Sequence, residues 1–137
     1  MKKLNKLFIL GIAVPFLVLV FACLFLFDIG INSKFFIKRD FNQAFQYRTT
    51  GDCNSFANYV YRDTQKWKER CEEEKAINTE PIRNFEVQQI THKFLSDRAF
   101  LQVELTRNNG TQEDYSYSVS YEMKKDGLKW KIDQEIK

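Results

Sequence analysis

Residues Leu7–Phe27, LFILGIAVPFLVLVFACLFLF, run for 21 positions without a charge, an amide or a hydroxyl. Wound as a helix, the stretch would be roughly 32 Å long, against the 30 Å or so of hydrocarbon in a bilayer. A cleaved signal peptide has an apolar core of only about 7–15 residues, so this length predicts a permanent single-pass anchor. Gly11 and Pro15 fit that expectation, because membrane helices tolerate both. The chain then divides into a head at 1–6, a transmembrane anchor at 7–27 and an exported domain at 28–137. The lipid bilayer is the first partner to emerge.

Lys2, Lys3 and Lys6 supply the whole formal charge of +3, and the other 18 Lys and Arg are matched by 18 Asp and Glu. A neutral domain without a basic run gives no electrostatic case for nucleic acid. Three lysines in the head favour keeping it in the cytoplasm and placing the C-terminal domain outside the cell membrane, although Lys34, Lys38 and Arg39 weaken the asymmetry. The 110 residues beyond Phe27 suffice for one domain with one core. In an exported domain, the even pair Cys53 and Cys71 reads as a disulfide; its 18-residue separation is worth roughly 3 kcal/mol in chain entropy. The alternative is two unrelated buried thiols in a cytosolic domain. Cys23 ends Val20-Phe21-Ala22-Cys23, which resembles a lipoprotein processing site. Bulky Phe21 and apolar Leu24–Phe27 speak against lipidation and leave Cys23 as a lipid-facing or packing residue.

Past a connection containing Gly30, the residues Ile37, Phe41, Ala44 and Phe45 recur at helical spacing, so Ser33 to Arg48 reads as an amphipathic helix. Thr49-Thr50-Gly51-Asp52 stops it and starts another: Gly51 suits a left-handed cap, and Asp52 can accept from free amides. Cys53, Phe56, Ala57 and Val60 form the apolar face of a short second helix. A third, capped by Asp63 or Thr64, carries Trp67 and Cys71 one turn apart. Glu72-Glu73-Glu74 at its end reads as a solvated terminus. After Pro81 the period becomes two. Phe85 and Val87 alternate, and Ile90, His92 and Phe94 follow one step out of phase, so a bulge is expected at Gln88-Gln89. Ala99, Leu101, Val103 and Leu105 mark a second strand, and Asn108-Asn109-Gly110 a hairpin turn. Tyr115, Tyr117, Val119, Tyr121 and Met123 share one face of a third strand. Asp126-Gly127 turns into a fourth bearing Leu128, Trp130 and Ile132. The expected class is α+β, with helices covering one apolar face of a bent four-stranded antiparallel sheet.

Helices followed by a bent meander, with Gly51-Asp52 between the first helices and Gly127 to Ile132 closing the sheet, resemble the nuclear transport factor 2-like superfamily, the cystatin-like α+β roll. The resemblance spans roughly Ser33 to Ile136. It implies a cone between sheet and helices. It also implies one of three roles: a ketosteroid-isomerase-like enzyme, a binding protein, or a membrane-anchored module of a bacterial envelope complex. The inner-membrane scaffold of type IV secretion systems, with a short head, one span and one such domain outside, is an example of the last.

Strand parity tests the enzyme option. Glu86, Glu104, Glu122 and Asp133 take the phase opposite the apolar residues and should face solvent or a partner; Asp40 alone borders an apolar stripe. His92, the sole histidine, shares the apolar phase, and a hydrogen-bonded histidine beside the core is the plainer expectation than a buried base. One histidine without Cys-x-x-Cys leaves no zinc site, and no phosphate loop or nucleophile elbow occurs. No catalytic residue, metal or cofactor is therefore assigned. Trp67, His92, Tyr115, Tyr117, Tyr121 and Trp130 could line a pocket for a hydrophobic ligand or peptide; the alternative is that these rings are the core. The function expected is a non-catalytic interaction or scaffold module held at the cell envelope. Its docking surface would be the polar sheet face of Gln102, Glu104, Ser116, Ser118, Ser120 and Lys129, with another envelope protein or a second copy of the chain as partner. A tethered ligand binder using the aromatic cone is the alternative, and an isomerase-like enzyme with His92 or Asp40 as base comes third. Asn109-Gly110-Thr111 matches a glycosylation sequon but sits at a hairpin turn.

Overall fold

Apolar residues at i, i+4, i+7 and i+8 make one face of a helix continuous, and Ile37, Phe41, Ala44 and Phe45 are fully buried along the face of α2, Ser33–Thr50. The computed structural model describes the backbone of residues 2–26, 33–77, 81–108 and 113–136. Helix α1, Lys2–Leu26, precedes α2; α3 is Cys53–Ala57 and α4 is Thr64–Ile77. Four strands follow: β1 (Ile82–His92), β2 (Arg98–Asn108), β3 (Asp114–Asp126) and β4 (Lys129–Ile136). They form one antiparallel meander in the order β1-β2-β3-β4. The class is α+β, as expected.

Helix α2 lies across the sheet from β1 to β4. Its Phe41 and Phe45 stack 4.5 Å apart, and both meet Phe85 and Tyr121 at 5.3–6.5 Å between ring centroids. Leu101, Val103, Met123, Trp130 and Ile132 complete the core from below. The β1–β2 register slips between Val87 and Gln89, where the phase change places the bulge. Gly51 adopts φ +75° at the end of α2, and Asp52 accepts from the Ser55 amide at 3.1 Å. Gly127 adopts φ +60°, and with Asp126 paired to Lys129 the two-residue loop is Gly127-Leu128. Cys53 and Cys71 form a disulfide with Cα atoms 5.7 Å apart, joining α3 to α4.

Four local expectations are corrected. Leu128, expected on the last strand, lies exposed in the loop before β4. Helix α3 stops at Ala57, because Tyr59–Tyr61 instead runs beside β4: the Tyr61 amide donates to the Ile132 carbonyl, and the Ile132 amide to that of Tyr59, both at 2.8 Å. That contact covers the β4 edge. Phe94 lies beyond the end of β1 in an exposed turn rather than on its apolar face. Glu74 is no solvated terminus; its carboxylate binds arginines from two other elements.

Side chains of α1 are described over residues 11–23, all exposed, with Pro15 inside the helix and Cys23 a free cysteine. Among the described residues no helix is long and apolar enough to cross a membrane. The expected span Leu7–Phe27 runs past residues 11–23 at both ends, so only its central part falls among them. The head's side chains, the Gly30 connection and the Asn109-Gly110-Thr111 turn lie outside the described residues too.

Candidate functional site

Residue 48 takes the next place on the α2 stripe that begins at Ile37, and it is an arginine. Residue 74 takes the next place after Trp67 and Cys71 on α4, and it is a glutamate. The stripe buries Arg48, whose side chain is 2% exposed, against Glu74 at 26%. Arg48 Nε and Nη2 donate to Glu74 Oε2 and Oε1 at 2.9 and 2.6 Å, a bidentate pair. Arg107 of β2 adds a bond from Nη2 to Glu74 Oε1 at 3.2 Å, while its Nε donates to the Tyr117 hydroxyl at 2.7 Å. The rings of Phe45, Phe56 and Trp67 stand 5.4–5.9 Å from Arg48 Cζ. They offer π faces to a guanidinium whose Nη1 has no hydrogen-bond partner.

These contacts set the charges. Burial alone would lift the Glu74 carboxyl, but the bonds from Arg48 and the charge of Arg107 outweigh it and hold it below the usual carboxylate range. Burial works against charge on Arg48 as well, and Glu74 more than reverses that. Burial pushes the Tyr121 phenol up to about 12. Arg48, Glu74 and Arg107 line a cleft of about 240 Å³ together with Thr49, Lys75 and Ile82. Every acid and base there is engaged in an ion pair or hydrogen bond, so the cluster clamps α2, α4 and β2 together.

The six residues expected to line one pocket are not brought together. Trp130 and Tyr121 are core rings, 0% and 1% exposed. Trp67 packs edge-on against Phe56 and forms part of a separate cleft of about 370 Å³ with Arg70 and Glu135. Tyr115 and Tyr117 stack on each other at the far rim of β3, both exposed. His92 stands edge-on to Trp130 at 5.3 Å. Its Nδ1 lies 2.9 Å from Ser33 Oγ and its Nε2 2.8 Å from the Ser96 carbonyl. Since a carbonyl can only accept, Nε2 is the donor to Ser96, and the Ser33 hydroxyl, which can donate or accept, meets Nδ1. Both nitrogens are thus occupied by structural partners.

The carboxylates divide. Glu86 is exposed and Glu104 half-buried, as parity requires. Glu122 and Asp133 are buried, contrary to expectation. The β3–β4 register slips beside Glu122, putting Asp133 out of the alternation. Arg62 clasps Asp133 with two bonds, and Arg98 and Gln134 cover Glu122 at 2.6 Å each. Asp40 is buried too, but as a brace: its Oδ2 accepts the Trp130 amide at 2.8 Å and its Oδ1 the Arg39 Nε at 2.9 Å.

No family model and no curated protein matches the sequence. Solved structures do match. An NTF-2 like protein of unknown function from Shewanella oneidensis MR-1 superposes with a TM-score of 0.55 at 13% identity, over 75% of this chain and 96% of that one. The fold is nuclear transport factor 2-like. The intermembrane space region of chloroplast protein ARC6 superposes with a TM-score of 0.53 at 13% identity, over 72% of this chain and 91% of that one. A SEC-C motif containing protein from Rhodopseudomonas palustris gives 0.56 at 8% identity, over 67% and 70%. At such identities the likeness concerns the fold alone.

In this nuclear transport factor 2-like roll, parity arguments missed Arg48, Glu74 and Arg107. A usable signal did exist. A charge at the next core position of each of two helical stripes, positive on one and negative on the other, calls for a buried pair.

Proposed function

We propose that this chain is a single-pass, membrane-anchored interaction module whose roll stands outside the cytoplasm as part of a cell-envelope assembly and performs no catalysis. The observation that carries this reading is the filled interior. The space between α2 and the sheet, where a roll would hold a ligand, is occupied by Trp130, Tyr121, Phe41 and Phe45. The anchor rests on Leu7–Phe27 and on the exposure of the apolar residues of α1, which have no protein cover over 11–23 and so call for lipid. The disulfide suits an oxidising compartment. One of the solved structures sharing the fold is an intermembrane space region.

Docking falls to the outer sheet face. Gln102 and Ser118 are exposed there, beside the hydrogen-bonded hydroxyls of Thr106 and Ser116 at 2.9 Å. Photo-crosslinkers at Gln102 and Ser118 in native membranes test this. A discrete adduct formed from both positions and absent from a control at Asn54 is expected. Adducts equal at all three positions, or a small molecule co-purifying inside the roll, would overturn the assignment.

A further inference from the structure

We infer that the roll sits on the bilayer by one end, with the tips of its β1–β2 and β3–β4 hairpins and the first turn of α2 in contact with lipid. The inference rests on the membrane-anchor reading above and adds an orientation and a contact surface to it. Ser33 and His92 join the start of α2 to the end of β1 at 2.9 Å. The Lys125 amide donates to the Asp97 carbonyl at 2.7 Å, tying one hairpin to the other. Both tips and the α2 start therefore share one end of the sheet, the hairpins roughly 10 Å apart at two strand spacings.

That end is apolar at its extremities. Phe35 is 67% exposed, Phe94 63%, Leu95 53% and Leu128 61%. Leu95 holds φ +61°, a conformation that Gly or Asn adopts more easily, so an apolar side chain stands at a turn where local sterics disfavour it. The same end is basic. Segments 33–39, 93–98 and 124–131 hold nine Lys and Arg against two Asp; Arg39, Arg98 and Lys131 pair with Asp40, Glu122 and Asp126, and the end keeps an excess of positive charge within a domain that is neutral overall. Apolar tips ringed by lysines match an interface where acyl chains meet anionic headgroups. Chain length fixes which end can meet the membrane: five residues, 28–32, separate the expected span from Ser33, and at full extension they reach roughly 18 Å. The Arg48–Glu74 cleft lies at the opposite end, next to β2 residue Arg107, and the outer sheet face stands sideways, free for lateral contacts.

The test uses the full chain in vesicles of phosphatidylethanolamine and phosphatidylglycerol, with Cys23→Ser so that only an added thiol reacts. Nitroxides are placed at Phe94→Cys, Leu128→Cys and, as a far-end control, Glu113→Cys. Several-fold higher oxygen than nickel-chelate accessibility at positions 94 and 128, reversed at 113, is expected, together with resistance to alkaline extraction. A chain that resists extraction but shows 94 and 128 as water-exposed as 113 overturns the seating and keeps the anchor. Extraction by alkali overturns the anchor reading and the seating with it. Exposure in pure lipid combined with protection in native membranes gives the surface to a protein instead of lipid, which also overturns the inference.

Discussion

Removing the Glu74 carboxylate leaves a guanidinium that is 2% exposed without its two charge-assisted bonds of 2.6 and 2.9 Å. Breaking a buried pair from one side costs about 3–5 kcal/mol, since the remaining charge stays desolvated. Two features place this site at the low end. Glu74 is 26% exposed, so water can enter the vacated space, and the three rings around Arg48 retain about 0.5–2 kcal/mol of cation–π attraction. Glu74→Ala should therefore cost about 3 kcal/mol, a fall in Tm of about 12 °C or more for a domain of this size. The paired change Arg48→Met with Glu74→Leu removes both charges and should return to within about 1 kcal/mol of the parent. Thermal melts of the full chain in detergent micelles, followed by near-UV circular dichroism of the buried Trp67 and Trp130, read both effects. Because Glu74 is held below its ordinary pKa, its contribution is complete above the unfolded value near 4.3 and is lost as pH falls through the folded one. Acid should thus destabilise the parent more than Glu74→Gln. A cost below about 1 kcal/mol for Glu74→Ala, or a double variant as unstable as the single one, would refute the clamp.

Peptide mapping of exported protein without reductant should recover the Cys53–Cys71 pair, and free thiols at both positions would contradict the disulfide; replacing both with alanine should cost about 3 kcal/mol. Asp40→Ala should cost about 1–3 kcal/mol in denaturant titrations, because it orphans the buried Trp130 amide. An effect within error would deny the brace. Gly127→Val should destabilise by more than about 1 kcal/mol, since φ +60° is strained for a β-branched residue even though open space surrounds the glycine. Unchanged stability would mean that the turn relaxes freely.

The fold was legible because its periodicities are local. Ile37, Phe41, Ala44 and Phe45 announce α2, the slip after Val87 announces the bulge, and Gly51 and Gly127 mark turns by the φ they adopt. Burial of charge was not legible from parity. Glu122 lies in the polar phase and is covered by Arg98, remote in sequence, and Gln134, while Asp133 leaves the alternation at the β3–β4 register slip and is clasped by Arg62. Val60 continues a helical pattern but pairs with Ile132, where Tyr59 and Tyr61 satisfy backbone groups of the β4 edge that local periodicity does not reveal. The aromatic set was readable as either pocket or core. Only packing distinguishes these, and it makes Trp130 and Tyr121 core while leaving Tyr115 and Tyr117 at the rim.

The central claim is that the roll stands across the membrane from the N-terminal lysines. External protease, added to cells whose outer layers have been opened and whose cell membrane is intact, tests it on the full chain carrying an epitope after Lys137. The account predicts that the epitope is lost while a cytoplasmic marker survives. An epitope protected until the cell membrane itself is lysed would contradict it.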